Sequence, residues 1–174
     1  MKKRAVLRRG HVYLKPGELF ISAEPTVVTT VLGSCIAVTM FHRKTRFGGI
    51  CHGMLPECRQ HECPGSCSEG FKYVDCAIQF MYDTFKSKLI PAAEIEVKLF
   101  GGADMFQVRS AVSKGNQTVG TQNLMAAMKM LENKKLKVAK LDIGGNEGRK
   151  LFFTTDTGEV LLKRLRQSSR EDVE

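Results

Sequence analysis

The stretch TVVTTVLGSCIAVTMFHRKTRFGGICHGMLP, residues 26–56, decides how the rest of the chain is read. Its first sixteen residues are rich in β-branched side chains and read as strand, broken at Gly33-Ser34. A polar turn follows over 42–46. Residues 47–55 then return as a second strand that stops at Pro56, which has no N–H to give a central ladder. A hairpin centred between Arg43 and Lys44 sets Cys35 directly opposite His52, on one face, with Cβ atoms about 5 Å apart. The Gly33-Ser34 bend exposes the sulfur and turns backbone N–H groups toward a bound carbonyl, as an oxyanion hole requires. Thr29 is an even number of residues from Cys35, so on an extended strand it shares that face and its hydroxyl can orient the imidazole. A thiol beside an imidazole that a third polar group fixes is the activated nucleophile of acyl transfer. Spacing alone leaves the alternative open, with Cys35 a small buried apolar residue and His52 a hydrogen-bonded core histidine.

Working outward, Val74, Ala77, Ile78, Met81, Phe85 and Leu89 recur at helical spacing and predict an amphipathic helix over about 72–88, ended by Pro91. Ile95, Val97 and Leu99 alternate with charged residues as a half-buried strand does, and lead to Gly101-Gly102. A second helix is expected over about 118–134, with Leu124, Met128 and Leu131 inward. LFFTT (151–155), Asp156-Thr157-Gly158 and EVLLKRL (159–165) read as a closing hairpin. The sum is an α/β (α+β) fold, a layered sandwich of mixed β-sheet flanked by helices. No repeat or linker divides the chain, so one domain over 1–174 is expected, with flexible ends at 1–10 and 167–174 and a cysteine-rich loop at 57–70.

The 174 residues carry 27 Lys+Arg against 18 Asp+Glu, a formal charge of +9. A chain of this length buries roughly 70% of its unfolded surface and needs no disulfide staples. The longest uncharged stretch, 25–42, is too rich in threonine to span a bilayer, and no apolar signal segment follows the basic N-terminus. The expectation is a cytoplasmic protein without membrane insertion, whose six cysteines are thiols, ligands or catalytic groups. Aromatic residues make up 7% and there is no Trp or nucleic-acid motif, so the positive charge reads first as solvated basic faces and next as a surface for an acidic protein, not for nucleic acid.

Five blocks together resemble one family: TTVLGSCIAV (29–38), GGICHGMLP (48–56), KLFGGADMF (98–106), VGTQNLMAAMKML (119–131) and DIGGNEGRKLFFTTDTGEVLLKRL (142–165). They are similar, in order and over nearly the whole chain, to the CheD chemoreceptor glutamine deamidases. The resemblance implies Cys35 as nucleophile, His52 as general acid/base and Thr29 as the residue that orients it, with oxyanion donors at Gly33 and Ser34 and no cofactor. It implies a sandwich similar to the catalytic domain of the cytotoxic necrotizing factors. It also implies a glutamine side chain on methyl-accepting chemotaxis receptors as substrate, and a CheC-type phosphatase as a second partner. A non-catalytic adaptor for that phosphatase is the competing reading.

The 57–70 loop departs from the family. Cys58, His61, Cys63 and Cys67 are donors of the kind that close a tetrahedral Zn²⁺ site, but their tight spacing favours a variable thiol-rich loop. Alternation sends Cys51 to the strand face opposite His52, as a core residue, and Cys76 reads as structural. His11 and His42 have no partner pattern. Gly101-Gly102 and Gly144-Gly145 lack a full phosphate-loop pattern and read as backbone-geometry positions near the active site.

Overall fold

A computed structural model describes residues 9–59, 70–104 and 117–166. The described strands are β1 (Gly10–Tyr13), β2 (Leu19–Ser22), β3 (Thr26–Leu32), β4 (Ile36–His42), β5 (Phe47–Gly53), β6 (Ile95–Gly101), β7 (Val138–Ile143), β8 (Gly148–Thr154) and β9 (Val160–Leu165). The helices are α1 (Val74–Ser87) and α2 (Val119–Asn133), and Ala92–Glu94 makes one 3₁₀ turn. The strands form two mixed sheets, ordered β1-β3-β8-β9 and β2-β5-β4-β6-β7. Gly10, expected within a flexible N-terminal segment, opens β1 instead; residues 1–8 and 167–174 lie outside the described residues.

The two sheets stack face to face, and both helices pack on the outer face of the five-stranded one. Between the sheets lie Leu14, Val28, Leu32, Ala37, Ile50, Phe100, Leu151 and Phe153. The helix side buries Ile36, Val38, Met40, Cys51, Val97 and Leu99 against Val74, Ala77, Ile78, Met81 and Phe85 of α1. β4 and β5 are buried along their whole length because each faces both layers. That explains their continuous apolar runs. No helix among the described residues is long and apolar enough to cross a membrane.

The break at residues 33–35 does more than interrupt a strand. It carries the chain from one sheet to the other, because β3 belongs to the four-stranded sheet and β4 to the five-stranded one. This bend is held from behind by the end of β6. The Gly102 N–H donates to the Cys35 carbonyl (2.9 Å) and the Ala103 N–H to the Gly33 carbonyl (2.9 Å). Gly101 has φ of 108°, and a Cβ there would collide with the Cys35 carbonyl oxygen. Behind Gly101, its carbonyl accepts from Gly144 N–H (2.9 Å), and the Gly144 carbonyl accepts from the buried Arg149 Nη2 (2.7 Å). Arg149 Nε also pairs with Asp142 at 2.7 Å, so its charge is compensated. The two Gly-Gly pairs thus form successive rungs behind the bend, a backbone-geometry role.

The helices differ from expectation in one respect. α1 buries Val74, Ala77, Ile78, Met81 and Phe85 as predicted, while Leu89 falls beyond its end and is 90% exposed. α2 buries Gly120, Asn123, Ala126, Ala127 and Leu131, and turns Met128 outward. Its inner face is built of small residues because Gly120 sits against the backbone of Gly102 and Ala103, where a Cβ would overlap at 2.7 Å. A row of large side chains cannot approach that closely.

Gly101→Ala is expected to lower unfolding stability by at least about 2 kcal/mol, from left-handed strain plus the carbonyl collision, as read by urea denaturation. Wild-type stability in that variant would refute the support role given to β6.

Candidate functional site

The hairpin forms, but its register is shifted by two. Ala37 lies opposite His52 and His42 opposite Phe47, so the turn takes the four residues 43–46, with Arg46 at φ 52°. Cys35 consequently falls across from Met54, just past the end of the ladder, and His52 is its diagonal neighbour. A shift of two preserves the face. Cys35 packs on the cluster between the sheets, the side to which Ala37 and Ile50 also point.

His52 is buried, 1% exposed. Its backbone is fixed by the entry to β2: its N–H donates to the Glu18 carbonyl (3.0 Å) and its carbonyl accepts from Gly17 N–H (2.8 Å). Its ring crosses to the other sheet, where Nδ1 lies 2.7 Å from Thr30 Oγ1. The same hydroxyl donates to the Leu14 carbonyl at 2.8 Å. A threonine hydroxyl has one hydrogen, and a carbonyl can only accept, so the Thr30 oxygen must receive Nδ1–H. The neutral ring therefore carries its proton on Nδ1 and leaves the Nε2 lone pair bare. Nε2 is buried without a hydrogen-bond partner. Burial lowers the His52 pKa from 6.5 to about 4, against a smaller opposing pull from Glu18, so the ring is a neutral base at physiological pH.

The residue that meets the imidazole is thus Thr30, not Thr29. Thr29 points to the outer face of the four-stranded sheet, at the register position between Tyr13 and Phe152. The even-number count from Thr29 to Cys35 assumes one continuous strand, and the chain changes sheets between them.

Cys35 is half-buried, and desolvation raises its thiol pKa, partly offset by its own backbone N–H. Thiol and imidazole are both uncharged at rest, and no hydrogen bond joins them. The carbonyls of Gly33, Ser34 and Cys35 are all occupied, by Ala103 N–H, Asn123 Nδ2 and Gly102 N–H. Among the described residues neither Ser34 N–H nor Cys35 N–H is bonded to a backbone carbonyl. Carbonyls turned back and N–H groups left over are what a site for a developing oxyanion needs.

Asn123 is the site residue that sequence reasoning missed. Its Nδ2 donates to the carbonyls of Ser34 (3.0 Å) and Met54 (2.9 Å). The available signal was the spacing of Gly120, Asn123 and Ala127, a close-packing helix face with one polar member.

Cys51 sits on the helix side, with burial pushing its thiol to about 12. His42, at the far end of the hairpin, is satisfied by Thr45 and Glu94; His11 is exposed. Of the zinc candidates only Cys58 is described; His61, Cys63 and Cys67 lie outside the described residues. Among the described residues no group of three or more metal-ligating side chains assembles. A cavity of about 360 Å³ lies between Pro56, Glu57 and the Met125, Ala126 and Lys129 side of α2, apart from Cys35 and His52.

The described residues thus set a thiol on a sharp bend, and a neutral imidazole oriented by a hydroxyl, on the inner side of a two-sheet α+β sandwich. The chain belongs to the CheD family: the family described as "CheD chemotactic sensory transduction" matches residues 54–164. The probable chemoreceptor glutamine deamidase CheD 2 of Geobacter sulfurreducens is 46% identical over 161 residues, covering 92% of this chain and 94% of that protein. The probable deamidase of Maridesulfovibrio salexigens is 40% identical, covering 88% and 91%. That of Thermococcus kodakarensis is 30% identical, covering 86% and 89%. A crystal structure of a Neisseria meningitidis protein of family DUF152 has a TM-score of 0.44 at 11% identity, over 79% of this chain and 63% of that one.

Two measurements check the site. Because the folded-state pKa of His52 is depressed to about 4, protonation favours the unfolded chain. Its contribution is complete above about pH 6.5 and is lost as pH falls toward 4, a span of about 3 kcal/mol. His52→Asn should flatten the stability profile across that window. Thr30→Val strands Nδ1–H and should cost about 1–3 kcal/mol, whereas Thr29→Val should stay within about 0.5 kcal/mol. Equal costs for the two variants would contradict the assignment to Thr30.

Proposed function

We propose that this chain is a chemoreceptor glutamine deamidase working in the cytoplasm as one domain, with Cys35 as nucleophile and His52 as the proton-transfer group. The observation that carries the reading is the bare, buried Nε2 of a neutral imidazole on the inter-sheet side where Cys35 also packs. The names of the relatives supply the substrate class, a glutamine side chain on a chemoreceptor.

The chemistry follows from the resting charges. With both groups neutral, the thiol is activated as it reacts: Nε2 takes the S–H proton while sulfur attacks the carboxamide carbon. The developing oxyanion draws on the N–H groups of the Gly33-Ser34-Cys35 bend. The imidazolium then gives its proton to the departing nitrogen, the C–N bond breaks, and ammonia leaves a thioester on Cys35. Nε2 next takes a proton from water, hydroxide adds to the thioester, and the C–S bond breaks to give glutamate and a reprotonated thiol. Thr30 serves throughout by holding Nδ1–H and stabilising the imidazolium from behind. No hydrogen bond joins the sulfur to Nε2, and catalytic pairs commonly tighten only around substrate.

A CheC-type phosphatase is the second partner in this reading. A purely adaptor role fits less well, because an adaptor gains nothing from a buried imidazole that costs stability on acidification.

Incubation with receptor cytoplasmic fragments should release ammonia and raise target peptides by about 1 Da, as hydrolysis of Gln to Glu requires. Cys35→Ala and His52→Ala should each lower that rate by about 10³-fold or more. Undiminished deamidation by Cys35→Ala would sink the proposal.

A further inference from the structure

β4 and β5 separate where the site begins. The last described pair is Ile36 with Gly53, and the next, Cys35 with Met54, makes no rung. Met54 N–H turns away to the Lys72 carbonyl (2.7 Å), and Cys35 N–H is not bonded back across the hairpin. Two carbonyls, of Ser34 and Met54, are left facing the interior at this fork. Buried carbonyls without donors are costly, so a fork of this kind closes up unless a donor is supplied.

Asn123 supplies it. Both N–H bonds of one planar amide go to these two carbonyls, and the residue is fully buried. The orientation of the amide follows from chemistry, since a carbonyl can only accept and the nitrogen must face both. Oδ1 is thereby left buried and without a partner. Ser34 immediately precedes Cys35, and Met54 follows His52 by two residues. The amide therefore ties the backbone that carries the thiol to the backbone that carries the imidazole, at a point where the sheet itself no longer does so. Gly120, one turn earlier, brings α2 close enough for this reach.

We infer that Asn123 is a positioning residue, a side-chain rung that replaces the missing Cys35–Met54 pair and fixes the distance between the Cys35 sulfur and His52. It keeps the fork open, so that Cys35 N–H stays free of the ladder, and it keeps the fork from widening. The role rests on the assignment of Cys35 and His52 as the reactive pair.

The test measures Cys35 alkylation by iodoacetamide against pH in the full chain, alongside ammonia release from receptor fragments. The variants are Asn123→Ala, Asn123→Asp and each of these combined with His52→Ala. Asn123→Asp keeps the shape but sets oxygen against both carbonyls, so it separates lost donation from lost volume. Both single variants should lower kcat at least tenfold with KM within about twofold, and should shift the pH profile of alkylation. In the double variants, His52→Ala should cause no further loss of alkylation, because the coupling is already broken. Wild-type kcat in folded Asn123→Asp, or additive effects with His52→Ala, would overturn the inference. The alkylation arm does not need turnover: if His52→Ala alone leaves Cys35 reactivity unchanged, the Cys35–His52 assignment fails instead, and that result is distinct.

Discussion

A single polar contact between the sheets governs this structure: His52 Nδ1–H on Thr30 Oγ1, with that hydroxyl passed on to the Leu14 carbonyl. It lies in a layer otherwise filled by leucine, isoleucine, valine and phenylalanine. An apolar interface tolerates many small shifts, because one hydrocarbon contact replaces another at little cost. A buried donor does not, since each misplaced register leaves an orphan. The chain of three groups therefore pins β1, β3 and β5 against one another and fixes the imidazole tautomer at the same time. The tautomer that results is the one that leaves Nε2 as a base.

Cys35 is fixed by a different device. Its bend has no internal hydrogen bonds of its own and is instead gripped through its carbonyls by the ends of β6 and α2. That grip passes through Gly101 to Gly144 and so to the buried Arg149–Asp142 pair. Histidine and cysteine thus rest on different supports, one spanning the sandwich and one at its end, with the Asn123 amide between them. Orientation of each is set before any substrate arrives, which limits the reorganisation left to the reaction.

Much of this was legible in the residues. The hairpin, α1, the β6 strand and the closing hairpin carry strong periodicity and clear stops, and Cys35 and His52 were singled out by type and face. β1, β2 and β7 were not legible, because GHVY and LFIS are only four residues long and VAKLDI is half-exposed and interrupted by charge. The Thr29 reading failed on parity, which holds only within one strand. α2 was read from Leu124, Met128 and Leu131; Leu131 is buried and Leu124 packs on the core, while Met128 turns outward and small residues fill the close approach to Gly102. Asn123 was passed over because a reading of apolar periodicity gives a polar residue no weight.

The register of the β4–β5 hairpin has a consequence for how this chain can vary. Two residues or four between the strands leave His52 between the sheets, since the face repeats every second residue. A one-residue slip of the pairing would exchange it with Cys51 and turn the imidazole toward the helices, away from Thr30, with the hydrophobic content of the strands unchanged. The site therefore constrains the register and not the length of the loop: an insertion at this exposed turn is tolerated as long as the loop absorbs it and Ala37 stays opposite His52.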